Sequence, residues 1–320
     1  MSVKLECKNG VYAFDPRALY REGGSSFVYK GLNIQTREEV VVKVLKREFA
    51  SNPMYVARAH RESQIKLVHD NIVEVYDFLK KGKLIHVVTK FIPGKNVQEI
   101  IDANNKEGKK MQPARAIQIA KEALAGLEVL HSQYRAVIHR DIKPSNIIVD
   151  NHTGIAKIFD FSVSKIVGES TGDDRKLTGI AMQIGTPAYL SPEQAAADND
   201  RINESTDTWA IGLTLYEMLT GHLPFAGSSL HPHQALLSKP LPTHPAIPKP
   251  LYEVIRKSVS VEQSDRYQSC REFIKALGNL SQKSSKSKTV PDWIKNPAIG
   301  VSVVLVLVII VLILMITDVI

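Results

Sequence analysis

The sequence predicts an α+β chain with a membrane-crossing tail, and three observations carry that expectation. The first ninety or so residues are rich in short β-branched runs, the residues from Pro113 onward follow a helical period, and Ala298 to Ile316 form a 19-residue stretch without a charge. The 320 residues leave room for two domain-sized units of roughly 150 residues each. Charged residues make up 23% of the chain and hydrophobic ones 44%, which excludes both a disordered polar chain and an all-membrane protein.

The strand expectation rests on F-V-Y-K-G-L-N-I (27–34), E-V-V-V-K-V-L-K (39–46) and L-I-H-V-V-T-K-F (84–91). One helix is expected among them, with Asn52 as N-cap, Pro53 at the first helical position and an end near Val68. From Pro113 the apolar residues Ile117, Ala120, Leu124 and Leu127, with His131, fall on one helical face. The stretch Asp207 to Thr220 is apolar nearly all round, which predicts a helix buried inside a domain; it is too short and interrupted to span a bilayer. Residues 231–250 carry Pro232, Pro240, Pro242, Pro245, Pro248 and Pro250 and are expected to be loop. S-Q-K-S-S-K-S-K-T (281–289) reads as a flexible linker.

Cys7 and Cys270 make neither a disulfide framework nor a metal-ligand set, which favours a reducing, cytosolic setting. Lys and Arg exceed Asp and Glu by 41 to 33, a net +8, but the excess is scattered except near the C-terminus. No nucleic-acid stripe is evident, so nucleic acid is not an expected partner. The N-terminal M-S-V-K-L-E-C-K has no apolar core and no Gly at position 2, so neither a signal peptide nor myristoylation is expected.

The most informative segment is I-H-R-D-I-K-P-S-N-I-I-V (138–149), followed by K-I-F-D-F-S (157–162). Alone, H-R-D is a solvated loop tripeptide and V-V-V-K is a half-buried strand with an exposed lysine. The ordered set reads differently: a Gly-containing turn at Arg21 to Val28, V-V-V-K ending at Lys43, Glu62, the 138–149 segment, D-F-S, G-T-P-A-Y-L-S-P-E (185–193), Asp207 and Arg266. On these motifs, over about residues 12–278, the chain resembles eukaryotic-type (Hanks-type) Ser/Thr protein kinases, and among them the bacterial, membrane-anchored PknB-like type.

The resemblance implies a bilobal fold: an N-lobe (12–92) of antiparallel sheet plus one main helix and a mostly helical C-lobe (93–278). It implies phosphoryl transfer from ATP to Ser or Thr of protein substrates with Mg2+ or Mn2+, chemistry that relies on positioning and charge neutralisation. Lys43 shares a strand face with Val41, which sets an ammonium for the phosphates beside an apolar wall. By resemblance, Glu62 pairs with Lys43. Val28, Val41 and Ile148 contact adenine, Thr89 guards the back of its pocket, and Lys90 to Ile92 form the hinge. Asp141 is the catalytic base and Lys143 steadies the transferring phosphate, while Asn146 and Asp160 supply hard oxygen ligands to the metal ions. His139 anchors the loop.

The phosphate loop departs from the family pattern. Alignment on Val28 places Arg21, Gly23 and Ser26 at the three glycine positions, with Gly24 extra, although Gly23, Gly24, Ser25 and Ser26 still supply small side chains. Arg21 is expected as a solvated strand-end residue. Ser162 replaces the glycine of D-F-G and Ser191 the alanine of A-P-E. Glu193 and Arg266 match a buried structural ion pair, and Asp207 a structural aspartate. Ser170, Thr171, Thr178 and Thr186 are the phosphorylation candidates on the activation segment. Thr178 comes first, its phosphate pairing with Arg140, whereas Thr186 matches a residue of substrate selection.

At about 1.5 Å per residue the 298–316 stretch is roughly 28 Å long, close to the thickness of a hydrocarbon core. Lys283, Lys286, Lys288 and Lys295 precede it, opposed only by Asp292, with Asp318 after it and Trp293 as an interfacial anchor. The positive-inside rule then places a kinase domain in the cytosol, joined through a basic linker (279–297) to a single transmembrane helix, by resemblance in a bacterial inner membrane. Autophosphorylation between two copies of the chain and a cognate phosphatase complete the implied partners. Two rivals stand beside this reading. A pseudokinase scaffold is opposed by the presence of Lys43, Asp141, Asn146 and Asp160. A small-molecule phosphotransferase is opposed by Lys143 and the 185–193 segment.

Overall fold

The computed structural model describes residues 2–286 except 25, 52, 54, 55, 58, 61–64, 135, 162–164, 167–186 and 228–231. Within these, the N-terminal part is a six-stranded antiparallel sheet in the order β1-β2-β3-β4-β6-β5. Its strands are β1 (Val3–Glu6), β2 (Val11–Glu22), β3 (Ser26–Asn33), β4 (Glu39–Leu45), β5 (Val75–Lys81) and β6 (Leu84–Lys90), with a short helix α1 (Arg47–Ala50) after β4. The three β-branched runs form β3, β4 and β6 within a residue of their expected limits. β1 lies ahead of residue 12 and pairs with β2 through Val3↔Phe14 and Leu5↔Tyr12, so the sheet starts near the N-terminus.

Strand alternation divides β4 between two surroundings. Val40, Val42 and Val44 enter a core with Leu5, Tyr12, Phe14 and Val88, while Val41 and Lys43 lie on the opposite, half-buried face. The expected helix beginning at Pro53 has helical residues at 53, 56–57 and 59–60, but 65–69 are not helical, so it stops short of Val68. Lys66 instead turns its amino group to the carbonyls of Val75 and Tyr76, and Val68 is exposed.

The C-terminal part is mostly helical, with α2 (Val97–Lys106), α3 (Pro113–His131), α4 (Pro192–Ala195), α5 (Glu204–Thr220), α6 (Pro232–Ser238), α7 (Lys249–Ser258) and α8 (Cys270–Lys286). Helix α2 was not foreseen, though Asn96 and Glu99 form a capping box at its start and Asn-x-x-Glu is the signal for one. Helix α3 buries Ala120, Leu124, Leu127 and His131, as the period predicts, while Ile117 of the same stripe is half-buried. In α5 every residue from Ser205 to Thr220 is buried, and Gly221 ends it in the left-handed region (φ 81°).

The proline-rich stretch is not all loop. Pro232 opens α6, and Pro250 lies in the first turn of α7. A proline there loses no helical hydrogen bond, because first-turn amides have no carbonyl partner within the helix. Between the helices run β7 (Gly94–Asn96), β9 (Ile147–Asp150) and β10 (Ala156–Ile158) in one small sheet, and β8 (Val137–Ile138) paired with β11 (Lys165–Ile166). Contacts group the described residues up to Leu277 as one unit, and residues 281–286, expected as flexible linker, are helical as the end of α8. Among the described residues no helix is long and apolar enough to cross a membrane, and the predicted span 298–316 lies outside them.

A buried ion pair braces the helical part. Arg266 donates to both oxygens of Glu193 at 2.9 and 3.0 Å, to the carbonyls of Ser260 and Val261, and stacks over Trp209 with its guanidinium carbon 4.9 Å from the ring centre. Thr206 Oγ1 donates to the same carboxylate at 2.8 Å. Burial alone would push the Glu193 carboxyl up, but the guanidinium and the hydrogen bonds hold it below the ordinary glutamate value. Its contribution to stability is therefore present above the unfolded carboxyl's pKa and is lost as the pH falls through the lower folded one. Replacing Arg266 by Met strands a buried carboxylate and should cost about 3–5 kcal/mol, read as a shift of the urea midpoint at neutral pH. An unchanged midpoint would show that the pair carries no stability.

Candidate active site

The site begins with one buried carboxylate. Asp207, in the first turn of α5, is 1% exposed and accepts from the backbone N–H of His139 at 2.8 Å and of Arg140 at 2.9 Å. His131 Nε2 on α3 lies 2.8 Å from the same carboxylate. Burial would raise the Asp207 pKa, but the His131 hydrogen bond and charge, with the Arg140 amide, bring it below the usual aspartate value. These contacts hold Arg140 at φ 66°, a left-handed conformation that a non-glycine residue keeps only where its surroundings impose it. Gln194 Nε2 donates to the Arg140 carbonyl at 2.8 Å from α4, completing the grip on the loop.

The loop so fixed presents Asp141. Lys143 Nζ donates to both its oxygens at 2.9 Å, and Asn146 Nδ2 donates to its Oδ2 at 2.9 Å and its backbone carbonyl at 2.8 Å. His139 is fully buried, with Nε2 3.1 Å from the Phe159 carbonyl and its ring 5.2 Å from that of buried Phe161. The Phe159 amide donates to the Asn146 carbonyl at 3.1 Å, tying the strand end before Asp160 to the loop after Asp141. Asp160 itself has φ 67°, and its Oδ1 accepts from Lys43 Nζ at 2.8 Å.

That last contact turns the half-buried face of the N-terminal sheet toward the loops. In the ladder Val28 lies opposite Lys43 and Val41 opposite Thr89, so all four share this face. Ile148 is half-buried on β9, opposite Lys157, and Ile92 is buried just after β6. The Gly23 amide donates to the Ser26 carbonyl at 2.8 Å, closing the turn that carries Gly24, and Ser26 is buried. Ser25, Glu62, Ser162, Ser170, Thr171, Thr178 and Thr186 lie outside the described residues.

The donor chemistry fits a divalent cation. Both amide hydrogens of Asn146 go to Asp141, which leaves its Oδ1 as an oxygen ligand, and Asp160 adds a carboxylate. Such an all-oxygen set suits Mg2+ or Mn2+.

Three relations went unseen in the sequence. Gln194 grips Arg140, and His131 serves the loop rather than only the core. Arg21 is not a free strand end: its guanidinium lies 2.7 Å from Glu99 on α2. No local pattern marks these pairs, because their members are far apart along the chain.

Comparison with known proteins agrees with this geometry. The protein kinase domain family matches residues 21–285. Among curated proteins, the serine/threonine-protein kinase PknB of Mycobacterium leprae is 33% identical over 262 residues, covering 78% of this chain and 40% of that protein. The serine/threonine-protein kinase PrkC of Bacillus subtilis is 29% identical over 280 residues, covering 84% and 41%. The chain thus spans about two fifths of the length of these relatives. The crystal structure of the Mycobacterium tuberculosis PknI kinase domain superposes with a TM-score of 0.63 at 19% identity, over 86% of this chain and 97% of that one, a likeness of fold. By its motifs, its fold and the family match, the chain belongs to the protein kinase family, and among curated proteins it is similar to the bacterial Ser/Thr kinases PknB and PrkC.

Proposed function

We propose that this chain is an ATP-dependent Ser/Thr protein kinase that phosphorylates protein substrates and itself, held at the cytosolic face of a membrane by residues 298–316. The observation that carries the catalytic reading is the convergence of Lys143 and Asn146 on the Asp141 carboxylate, with Lys43 joined to Asp160. In this reading Asp141 accepts the proton of the substrate hydroxyl as that oxygen attacks the γ-phosphorus. Lys143, already beside Asp141, turns its ammonium to the transferring phosphoryl group. Lys43 holds the α and β phosphates, and Val28, Val41, Thr89, Ile92 and Ile148 enclose the adenine.

Asn146 Oδ1 and the Asp160 carboxylate would hold Mg2+ or Mn2+, which neutralises charge on the phosphates. Asp141 keeps its orientation through the Asn146 amide, so base and metal ligand are set by one side chain. The competing reading, a pseudokinase scaffold, is disfavoured because each of these side chains is present and mutually oriented.

Incubation of the full chain with ATP and Mg2+ is expected to add phosphate to it, and Asp141→Asn should lower the rate at least a hundredfold. Equal incorporation in both, read by mass spectrometry, would leave the scaffold reading standing. In the same experiment Thr178 should be the first modified residue. Thr178→Ala should then reduce transfer to a protein substrate several-fold, since phosphate there is the proposed partner of Arg140. Full activity in that variant would remove Thr178 from the regulation. Alkaline carbonate washing of membranes tests the anchor: the chain should stay in the pellet, and release into the supernatant would refute the transmembrane helix.

A further inference from the structure

Arg21 replaces a small residue in the phosphate-loop pattern, and its side chain crosses from the sheet to the helical part. It lies opposite Val28 in the β2–β3 ladder and so shares the face that carries Val28, Val41 and Lys43. Its guanidinium meets Glu99 Oε1 at 2.7 Å, with the two side chains 37% and 39% exposed. Glu99 is held firmly for this role, because its Oε2 accepts from the Asn96 amide at 2.8 Å in the capping box of α2. One carboxylate thus fixes a helix start with one oxygen and the phosphate-loop strand with the other.

A second set of contacts runs alongside. Tyr20 packs edge-on to Phe91 of the hinge at 6.1 Å, Lys30 sits 4.1 Å from the Phe91 ring centre and 4.9 Å from that of Tyr20, and the Arg21 guanidinium lies 5.3 Å from Tyr20. The strand leading into the phosphate loop is therefore tied to both the hinge and α2.

We infer that the Arg21–Glu99 pair is a latch between the two lobes that holds the phosphate loop over a bound nucleotide and slows the nucleotide's release. This rests on the nucleotide-binding reading of the Val28, Val41 and Lys43 face. Release requires the strand to lift from α2, and lifting separates the pair. Because the pair is half-exposed, it opens readily enough for turnover and is weakened by salt.

The test is the dissociation rate of a fluorescent ADP analogue with Mg2+ from the full chain, chased with ATP in a stopped-flow instrument. Glu99→Gln keeps the helix cap, since glutamine serves the same box, and removes only the charge. Glu99→Gln and Arg21→Gln should each speed release about threefold, as expected for a pair of this exposure. The double variant should be no faster than either, and 0.5 M salt should speed the wild type while leaving the variants nearly unchanged. Arg21→Lys, which keeps the charge, should recover part of the wild-type rate. Wild-type rates in both single variants, or effects that multiply in the double variant, would overturn the latch while leaving nucleotide binding intact. No fluorescence change with the wild type would defeat the nucleotide reading and the latch together. Thermal melting of each variant identifies any that fails to fold, and Arg21→Lys then carries the comparison.

Discussion

The carboxylate of Asp207 is the constraint on which the rest of the site depends. It is buried in the first turn of a helix that is itself buried from Ser205 to Thr220, so it must find partners inside the protein. It finds them in the amides of His139 and Arg140 and in the His131 ring. Those bonds hold Arg140 in a backbone conformation it would otherwise avoid, and the turn that follows presents Asp141 to the surface. Through His139 the same loop reaches the Phe159 carbonyl and through Asn146 the Phe159 amide, so the position of Asp160 also traces back to α5.

Four ion pairs bear on the site and its supports, three of them between residues far apart in the sequence and one, Lys143 with Asp141, local, and their exposure separates two purposes. Arg266 and Glu193 are 0% and 1% exposed, and neither can part without stranding a charge in the interior. Lys43 with Asp160, at 17% and 28%, and Lys143 with Asp141, at 18% and 26%, remain within reach of water. Charges so placed can exchange partners at modest cost, as the proposed binding of phosphate and metal requires. Arg21 with Glu99 is more open still, consistent with a contact that forms and breaks.

Much of the fold was legible because it follows from short-range rules. Alternation in β4 put Val41 and Lys43 on one face, the period of α3 placed Leu124 and Leu127 inward, and the unbroken apolar character of α5 marked a buried helix. Where expectation failed, either a tertiary partner had intervened or a local rule had been applied too broadly. The helix expected to reach Val68 ends earlier, and Lys66 bonds instead to carbonyls of β5. The prolines of 231–250 did not forbid α6 and α7, because a first turn has no helical bond for Pro232 or Pro250 to remove.

The sequence by itself determined which chemistry the chain carries: H-R-D-I-K-P-S-N, D-F-S and V-V-V-K name the acidic, basic and amide groups and their order. It also determined the strand faces and helix stripes, since periods of two and 3.6 are properties of the local backbone. Only the tertiary structure decided which charges meet. The pairing of Lys43 with Asp160 and of Arg21 with Glu99 spans 117 and 78 residues of chain. Electrostatic and hydrogen-bond partners act through a few ångströms of space, and no spacing along the chain encodes a contact that the packing of two lobes creates.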